Sequence, residues 1–407
     1  MSENTGNELN NVFDVIKSWC LSGEELKNSN LLAILEKLVN NPKQTVSSEL
    51  YSPKYIWGVS VADLKNFDLS KLPIDLLYRI SFSTMTKWPS KDKLPKGFDP
   101  KKLIENAKTF KGLGIEKLHE QGITGKGVTI AYIDKPFDTR HVEFNSKKIK
   151  YIPMGNGVFD FHGYAVAARL AGQNIGVAKD INLIYYACGG KSERYEYLDG
   201  LVYDELRSLK DIIKRLENNE RIDAIGISGS IPYQISLIKD DDLKKQFEAT
   251  YDKLKRKLDE LDVPLIDSET FWDKGFSYSF KIDPKLPNDD VDNYFDKFSA
   301  MSNEEKMSVI DADKCIPLVY TLDSYKYENF IGSASWSIPQ VVGLYALAKQ
   351  IDKEITFDEF VDTTRETLDP ANTNGTRLIN APNLMKEVQH QKEIKTESTL
   401  TISPENS

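Results

Sequence analysis

From Gly112 onward, short apolar runs alternate with amphipathic helical segments, and this alternation constrains the fold more than any other feature of the chain. Four apolar runs are typical of buried strands: 128–133, 181–187, 222–228 and 263–266. Residues 201–216 and 243–261 carry apolar side chains at helical spacing. Because strands that alternate with helices are joined by right-handed crossovers, the pattern predicts an α/β fold with a doubly wound, mostly parallel sheet flanked by helices. Such a sheet places functional residues at the carboxyl ends of its strands.

The residues before this sheet follow a different pattern. Residues 1–105 are predicted to form a mainly helical N-terminal region of unknown role, with apolar helical faces over 9–19 and 31–39. We expect the α/β domain to span 106–386. Residues 387–407 are polar and are predicted to form a disordered tail.

Composition excludes several classes of function. A net charge of −9 over 407 residues argues against a general nucleic-acid binder. The three cysteines lie far apart with no metal-binding spacing, so neither a disulfide framework nor a zinc site is expected, and we expect no metal and no cofactor. No apolar run approaches the roughly 20 residues of a membrane span, and the N-terminus is polar where a signal peptide would be basic and then apolar. We therefore expect a cytoplasmic protein that binds neither nucleic acid nor membrane.

Residues 331–347, with the sequence IGSASWSIPQVVGLYAL, combine a run of small residues with an apolar helix. Pro339 is expected in the first turn of that helix, where its missing N–H has no cost. Ser335 would then lie at the positive end of a buried helix, as a nucleophile beside a ready-made anion site. The alternative is that Ser335 only caps a core helix.

Two further residues lie at element boundaries. Asp134 ends the run 128–133, and His162 precedes a glycine and an apolar helix. Each has a purely structural interpretation, the first as a turn residue and the second as a polar cap. Together with Ser335 they appear in the order Asp, His, Ser, which is the order found in subtilisin.

The surrounding motifs make this likeness specific. GKGVTIAYIDKPFDTRHVEF resembles the aspartate motif of the subtilisin-like (S8 family) serine proteases, and FHGYAVAARLAGQNIGVAKDINLIYYA is similar to their histidine motif. IDAIGISGSIP resembles the strand that borders their substrate cleft. SASWSIPQVVG resembles their serine motif, and TRLINAPNL their closing segment. The resemblance covers about residues 110–386 and implies a subtilisin-like fold.

The resemblance implies a catalytic triad in which His162 takes the proton of Ser335 and Asp134 orients His162. It also implies that Ser228, Gly229 and Ser230 bind an extended substrate through their backbone groups. The implied activity is serine endopeptidase cleavage through an acyl-enzyme on Ser335, in limited processing of specific proteins or peptides. The alternatives are a pseudoprotease that binds peptides in the same cleft without cleaving them, and a hydrolase of esters.

The supporting residues depart from the family pattern. The asparagine that usually donates to the oxyanion is absent from VPLIDSETF, where Thr270 is the candidate replacement beside the backbone N–H of Ser335. Lys135 follows Asp134 directly and is expected to form an ion pair that competes with His162.

Overall fold

The computed structural model describes residues 64–72, 74–79, 81–109, 112–189, 197–283, 285–286, 289–296, 306–310, 314–319, 321–328 and 333–401. The helices predicted over 9–19 and 31–39 lie outside these residues. The chain divides into two compact units, of which the first comprises 1–106, 313–315 and 324–330 and the second the rest.

The helices and strands of the described part are numbered along the chain. The helices are α1 (Ile74–Arg79), α2 (Pro100–Thr109), α3 (Ile115–Glu120), α4 (Phe161–Ala171), α5 (Tyr197–Glu217), α6 (Ile231–Ser236), α7 (Asp241–Glu260), α8 (Ser268–Asp273), α9 (Ala334–Ile351), α10 (Phe357–Glu366) and α11 (Ala381–Thr401). The strands are β1 (Phe82–Ser83), β2 (Thr129–Asp134), β3 (Ile149–Pro153), β4 (Asn182–Ala187), β5 (Ala224–Ile227), β6 (Leu265–Ile266), β7 (Phe276–Lys281), β8 (Tyr294–Phe295), β9 (Met307–Ile310), β10 (Lys314–Pro317) and β11 (Tyr325–Glu328).

The first unit is built around an aromatic cluster. Strand β1 pairs antiparallel with β11, which stacks the Phe82 ring on the Tyr327 ring at 4.8 Å between centroids. Trp88 and Phe98 pack edge-on against Phe82. The described part of the N-terminal region therefore contains a strand as well as helices.

The second unit contains a five-stranded parallel sheet in the order β3-β4-β2-β5-β6. This confirms the predicted α/β fold with a parallel sheet flanked by helices, and the four predicted strands are present with bounds shifted by at most two residues. Strand β3 was missed because it is an edge strand whose residues all keep some exposure, so its apolar pattern is weak. The order β4-β2-β5 brings the carboxyl ends of these three strands to one edge.

Helices cover the sheet through its buried side chains. Ala131 and Ile133 of β2 and Ile225 of β5 belong to a core that includes residues of α5, α6 and α7. Helices α4 and α9 pack against each other, with α4 also touching β2 and α9 touching β5. All residues of β5 are buried, as expected for a parallel strand covered on both faces.

Helix α9 is the central helix of the second unit, and every residue from Trp336 to Ala348 is buried. It begins one turn earlier than predicted, at Ala334, with Ser333 as its N-cap. Pro339 therefore lies inside the helix rather than in its first turn. Since proline lacks an N–H, the carbonyl of Ser335 has no donor four residues further on.

The C-terminal helix α11 differs from the disordered tail predicted from residue 387, because it continues to Thr401. Val388 is fully buried, and Gln391 accepts a hydrogen bond of 3.1 Å from Thr363 of α10. Lys395 forms an ion pair with Glu359 at 2.8 Å. The polar composition is thus that of a helix with one face packed against the rest of the second unit and the other faces in solvent. No helix in the described ranges has the length and apolar character needed to cross a bilayer.

Candidate active site

Asp134 and His162 are brought together at the carboxyl edge of the parallel sheet. Asp134 is the last residue of β2, and His162 lies in the first turn of α4. The His162 Nδ1 lies 2.6 Å from Asp134 Oδ1, with the Asp134 side chain 4% exposed and the His162 side chain 28% exposed. This geometry orients the imidazole with Nδ1 toward the carboxylate and leaves Nε2 for another partner.

A local capping pattern fixes the position of His162. Asp160 is the N-cap of α4, and its carboxylate accepts the backbone N–H of His162 at 2.8 Å. Gly163 follows, and a Cβ there would lie 2.1 Å from the carbonyl oxygen of Lys135. Glycine is therefore required for α4 to approach the end of β2 closely enough for His162 to reach Asp134.

Charge at this edge favours the protonated form of His162. Burial of the ring opposes protonation, but the charge of Asp134, its hydrogen bond to the ring and the charge of Asp160 outweigh burial and raise the pKa of His162 above its ordinary value. Lys135 opposes this shift. The ring is therefore a stronger base than an isolated imidazole.

Ser335 lies in the first turn of α9 and is partly exposed. Its hydroxyl donates to the carbonyl of Ser228 at 3.3 Å, and its backbone N–H donates to Ser333 Oγ at 3.2 Å. In the described structure no hydrogen bond joins the Ser335 hydroxyl to His162. Of the predicted triad, the Asp134–His162 contact is thus present and the His162–Ser335 contact is absent.

Trp336 contacts His162 through its ring and follows Ser335 in the chain. Its ring centroid lies 5.0 Å from that of His162, and Trp336 directly follows Ser335 in the chain. The Trp336 side chain is buried and also contacts the ring of Phe161. The imidazole therefore lies against the side chain of the residue that follows Ser335.

The proposed cleft edge lies beside Ser335 at the end of β5. The Ser228 carbonyl accepts the Ser335 hydroxyl, and Ser228 Oγ bonds to the Tyr132 hydroxyl at 2.7 Å. The Gly229 carbonyl accepts the N–H of Ser268 at 3.0 Å. Ser230 caps α6 and donates its hydroxyl to Glu269 at 2.5 Å. The carbonyls of all three residues accept hydrogen bonds within the chain, from Ser335, Ser268 and Gln234.

Thr270 does not provide the expected oxyanion donor. Its hydroxyl donates to the carbonyl of Leu265 at 3.0 Å, and its backbone N–H donates to Asp267, the N-cap of α8. Thr270 was a candidate through the resemblance alone, and the backbone carbonyl of Leu265 is the competing acceptor of its hydroxyl.

Lys135 does not form the expected ion pair with Asp134. Its backbone N–H donates to Asp134 Oδ1 at 2.7 Å, while its ammonium lies 4.4 Å from the centroid of the Tyr197 ring. Asp134 therefore remains available to His162.

Sequence reasoning missed Asp160, Ser333 and Trp336 as parts of this site. Asp160 was detectable, because an aspartate immediately before an apolar helical run is a typical N-cap. Trp336 carries no comparable signal, since its contact with His162 exists only in the folded chain. Among the described residues, no group of three or more His, Cys, Asp or Glu side chains could hold a metal ion.

Comparisons with known proteins give a weak likeness of fold. No family model and no curated protein matches the chain. The chain is similar to the prenylagaramide maturation protease PagA at 14% identity and a TM-score of 0.42, over 68% of this chain and 98% of that chain. It is similar to the PatG macrocyclase domain at 13% identity and a TM-score of 0.42, over 68% and 95%. It is also similar to a chain of the subtilase cytotoxin SubAB assembly at 12% identity and a TM-score of 0.43, over 71% and 98%. Values this low assign no activity to this chain.

Proposed function

We propose that this protein is a serine hydrolase that cleaves peptide bonds through an acyl-enzyme on Ser335. The hydrogen bond of 2.6 Å between Asp134 and His162 is the observation that carries the proposal. A buried carboxylate that binds Nδ1 holds the neutral imidazole in the tautomer with a free Nε2, which is what a general base for a hydroxyl needs. The contact of Trp336 with His162 places that base beside the residue that follows Ser335.

In the proposed reaction, His162 Nε2 takes the proton of Ser335 as its oxygen attacks the substrate carbonyl. Asp134 stabilises the imidazolium, which then protonates the leaving amine. The backbone N–H of Ser335 donates to the oxyanion after releasing Ser333 Oγ. Water attacks the acyl-enzyme in the second half of the cycle, again with His162 as base.

The proposal requires two local changes at Ser335, of which the first is the release of its N–H from Ser333 Oγ. Ser335 Oγ has to leave the Ser228 carbonyl by rotation about the Cα–Cβ bond, which is a fast motion for a partly exposed side chain. The hydrogen bond to be broken is 3.3 Å long and hence weak. The cost of this change is small beside the barrier of peptide hydrolysis.

The proposed partner is a protein or peptide substrate that lies in extended form along Ser228, Gly229 and Ser230. The Ser228 and Gly229 carbonyls already accept hydrogen bonds from Ser335 and Ser268, and the Ser230 carbonyl accepts the N–H of Gln234 within α6. We therefore propose that a substrate adds to this edge by replacing these bonds, which favours limited processing of specific chains over general digestion.

Labelling with a fluorophosphonate tests the nucleophile. Ser335 is expected to be modified in the wild-type protein, as located by peptide mass spectrometry, and Ser335→Ala should remain unlabelled. Ser236→Ala is the matched control, because this exposed serine donates only to the carbonyl of Tyr233. Digestion of a mixed peptide library then separates a peptidase from an esterase. A labelled protein that hydrolyses simple esters and no peptide would contradict the proposal.

A pseudoprotease is the second candidate, and one observation favours it. Both polar groups of Ser335 are used inside the chain, its hydroxyl by Ser228 and its N–H by Ser333. A protein in which these bonds persist would bind peptides without cleaving them. Complete absence of fluorophosphonate labelling, with peptide binding retained, would select this candidate.

A further inference from the structure

Three buried polar atoms without a hydrogen-bond partner lie near the carboxyl edge of the parallel sheet. They are Lys135 Nζ, Glu205 Oε2 and Gln234 Oε1. Lys135 follows β2, Glu205 lies on α5 after β4, and Gln234 lies on α6 after β5. Since β4, β2 and β5 are neighbours in the sheet, the three side chains come from elements that meet at the edge carrying Asp134.

These side chains form one cluster. Gln234 Nε2 donates to Glu205 Oε1 at 3.2 Å. The charges of Lys135 and Asp134 both act on the pKa of Glu205, which places Glu205 within their electrostatic reach. Lys135 and Glu205 nevertheless form no ion pair, since the Lys135 ammonium lies over the Tyr197 ring instead.

The cluster borders the cleft of the candidate active site. A Cβ on Gly229 would lie 3.1 Å from Gln234 Nε2, so the amide of Gln234 lies against the cleft edge. Lys135 is the next residue after Asp134. The cluster therefore lies at the same edge of the sheet as the contact between Ser335 and Ser228.

The three unpaired atoms are available to a binding partner. Glu205 is only 5% exposed, and buried polar atoms are almost always hydrogen-bonded, because leaving them unpaired forfeits their hydration. An apolar side chain at position 205 or 234 would avoid this cost. A group that supplies both a hydrogen-bond acceptor and donors would satisfy all three atoms.

We propose that Lys135, Glu205 and Gln234 form a subsite that binds the primary carboxamide of a glutamine or asparagine side chain in the peptide substrate, an inference that rests on the proposed peptide-binding function. A carboxamide oxygen accepts from Lys135, and its NH₂ donates to Glu205 Oε2 and Gln234 Oε1. A lysine or arginine side chain would leave Lys135 unpaired and add a like charge beside it. A carboxylate would leave Gln234 Oε1 unpaired.

The carboxamide also fits both protonation states of Glu205. Burial raises the pKa of Glu205 to about 8, although Gln234 and Lys135 oppose the shift. When Glu205 is protonated, its hydroxyl donates to the carboxamide oxygen together with Lys135, and the NH₂ still reaches Gln234 Oε1. We therefore expect the selectivity to persist on both sides of pH 8, whereas selectivity for a cation would increase as Glu205 ionises.

Affinity selection tests the subsite without requiring cleavage. Immobilised Ser335→Ala protein is exposed to a randomised peptide library, and the bound peptides are sequenced. We expect glutamine or asparagine to be enriched at one fixed position by about tenfold or more, which corresponds to one well-formed hydrogen bond to a buried group. Enrichment of charged or apolar residues at that position, or no enrichment at any position, would overturn the proposal.

Variants of the cluster locate the selectivity. Glu205→Leu and Gln234→Leu, each in the Ser335→Ala background, should remove the enrichment, and the second keeps the test valid if the first does not fold. Glu217→Gln is the control, since this exposed residue lies on the same helix. Enrichment that survives both cluster variants would overturn the proposal. Selected peptides are then offered to the wild-type protein, where binding without cleavage refutes the proposed peptidase activity alone.

Discussion

His162 Nδ1 and Asp134 Oδ1 are 2.6 Å apart, and the two residues come from α4 and from the end of β2, 28 positions apart in the chain. The short contact depends on Gly163, which lets the first turn of α4 lie against the carbonyl of Lys135. It also depends on Asp160, which fixes the N–H of His162. The base of the proposed reaction is therefore positioned before any substrate binds.

The pH dependence of peptide hydrolysis should report the raised pKa of His162. The reaction needs the neutral imidazole, so activity is lost as pH falls through the pKa of this group. Burial lowers the pKa of His162, but Asp134 and Asp160 raise it by more. The midpoint of the acidic limb of kcat/KM should therefore lie above 6.5. A midpoint at or below 6.5 would contradict the role of His162 as the base.

Replacing Asp134 with asparagine should remove both the charge and the tautomer control. We expect kcat to fall by about 10⁴-fold, the loss that this substitution causes in an established Ser-His-Asp triad. The acidic limb should move to lower pH, because the imidazolium loses its neighbouring negative charge. Asp138→Asn is the control, since Asp138 pairs with the exposed Arg140 and not with His162. Equal loss of activity in the two variants would show that the effect is structural.

Gly163→Ala should separate α4 from the end of β2. The new methyl group would lie 2.1 Å from the carbonyl oxygen of Lys135, and overpacking of this kind costs about 1–3 kcal/mol of unfolding free energy. The Asp134–His162 hydrogen bond should lengthen. The kcat/KM should therefore fall by more than the smaller fraction of folded protein explains. Ala167→Gly on the same helix destabilises by about 1 kcal/mol without adding atoms. That control should retain activity at temperatures where it is folded.

Trp336→Leu should lower the pKa of His162. The tryptophan ring lies 5.0 Å from the imidazole, and an aromatic face stabilises a cation by about 0.5–2 kcal/mol. The acidic limb of kcat/KM should therefore move down by roughly 0.4–1.5 pH units. Trp336→Phe, which keeps an aromatic ring, should shift the limb less. Identical profiles for the two variants would contradict an electrostatic role for the ring.

Helix α11 should contribute measurably to stability although its sequence is polar. A chain that ends at Lys386 lacks the buried Val388 and the ion pair of Lys395 with Glu359. Burial of a valine alone stabilises by about 1.5–3 kcal/mol, so thermal unfolding should occur at lower temperature. A chain that ends at Thr401 should unfold as the full chain does. Equal stability of all three chains would restore the disordered-tail interpretation.

Much of the fold was predictable because periodicity encodes burial directly. The runs that form β2, β4 and β5 are almost wholly apolar. A nearly uninterrupted apolar sequence is typical of a parallel strand that is buried on both faces. The edge strand β3 was missed because none of its residues is fully buried, and helix α11 was missed because its polar composition hides a narrow apolar face.

The candidate site was predictable only as far as residue order and motif allowed. Asp134 and His162 were identified and are joined, whereas the hydrogen bonds of Ser335 depend on side-chain rotation that no sequence pattern encodes. The role of Thr270 was wrong because its hydroxyl donates to a backbone acceptor in the preceding strand, the carbonyl of Leu265. Local competition of this kind becomes visible only once α8 is placed.

The carbonyl oxygen of Ser228 accepts the Ser335 hydroxyl, and it is also the acceptor that the proposed substrate would use. In the proposed reaction, a chain that docks by donating to the Ser228 carbonyl competes with the Ser335 hydroxyl for this acceptor, and we expect the displaced hydroxyl to turn toward the imidazole of His162. A peptide bound along Ser228 should therefore activate Ser335. Small electrophiles should react faster with the peptide-bound protein than with the free protein.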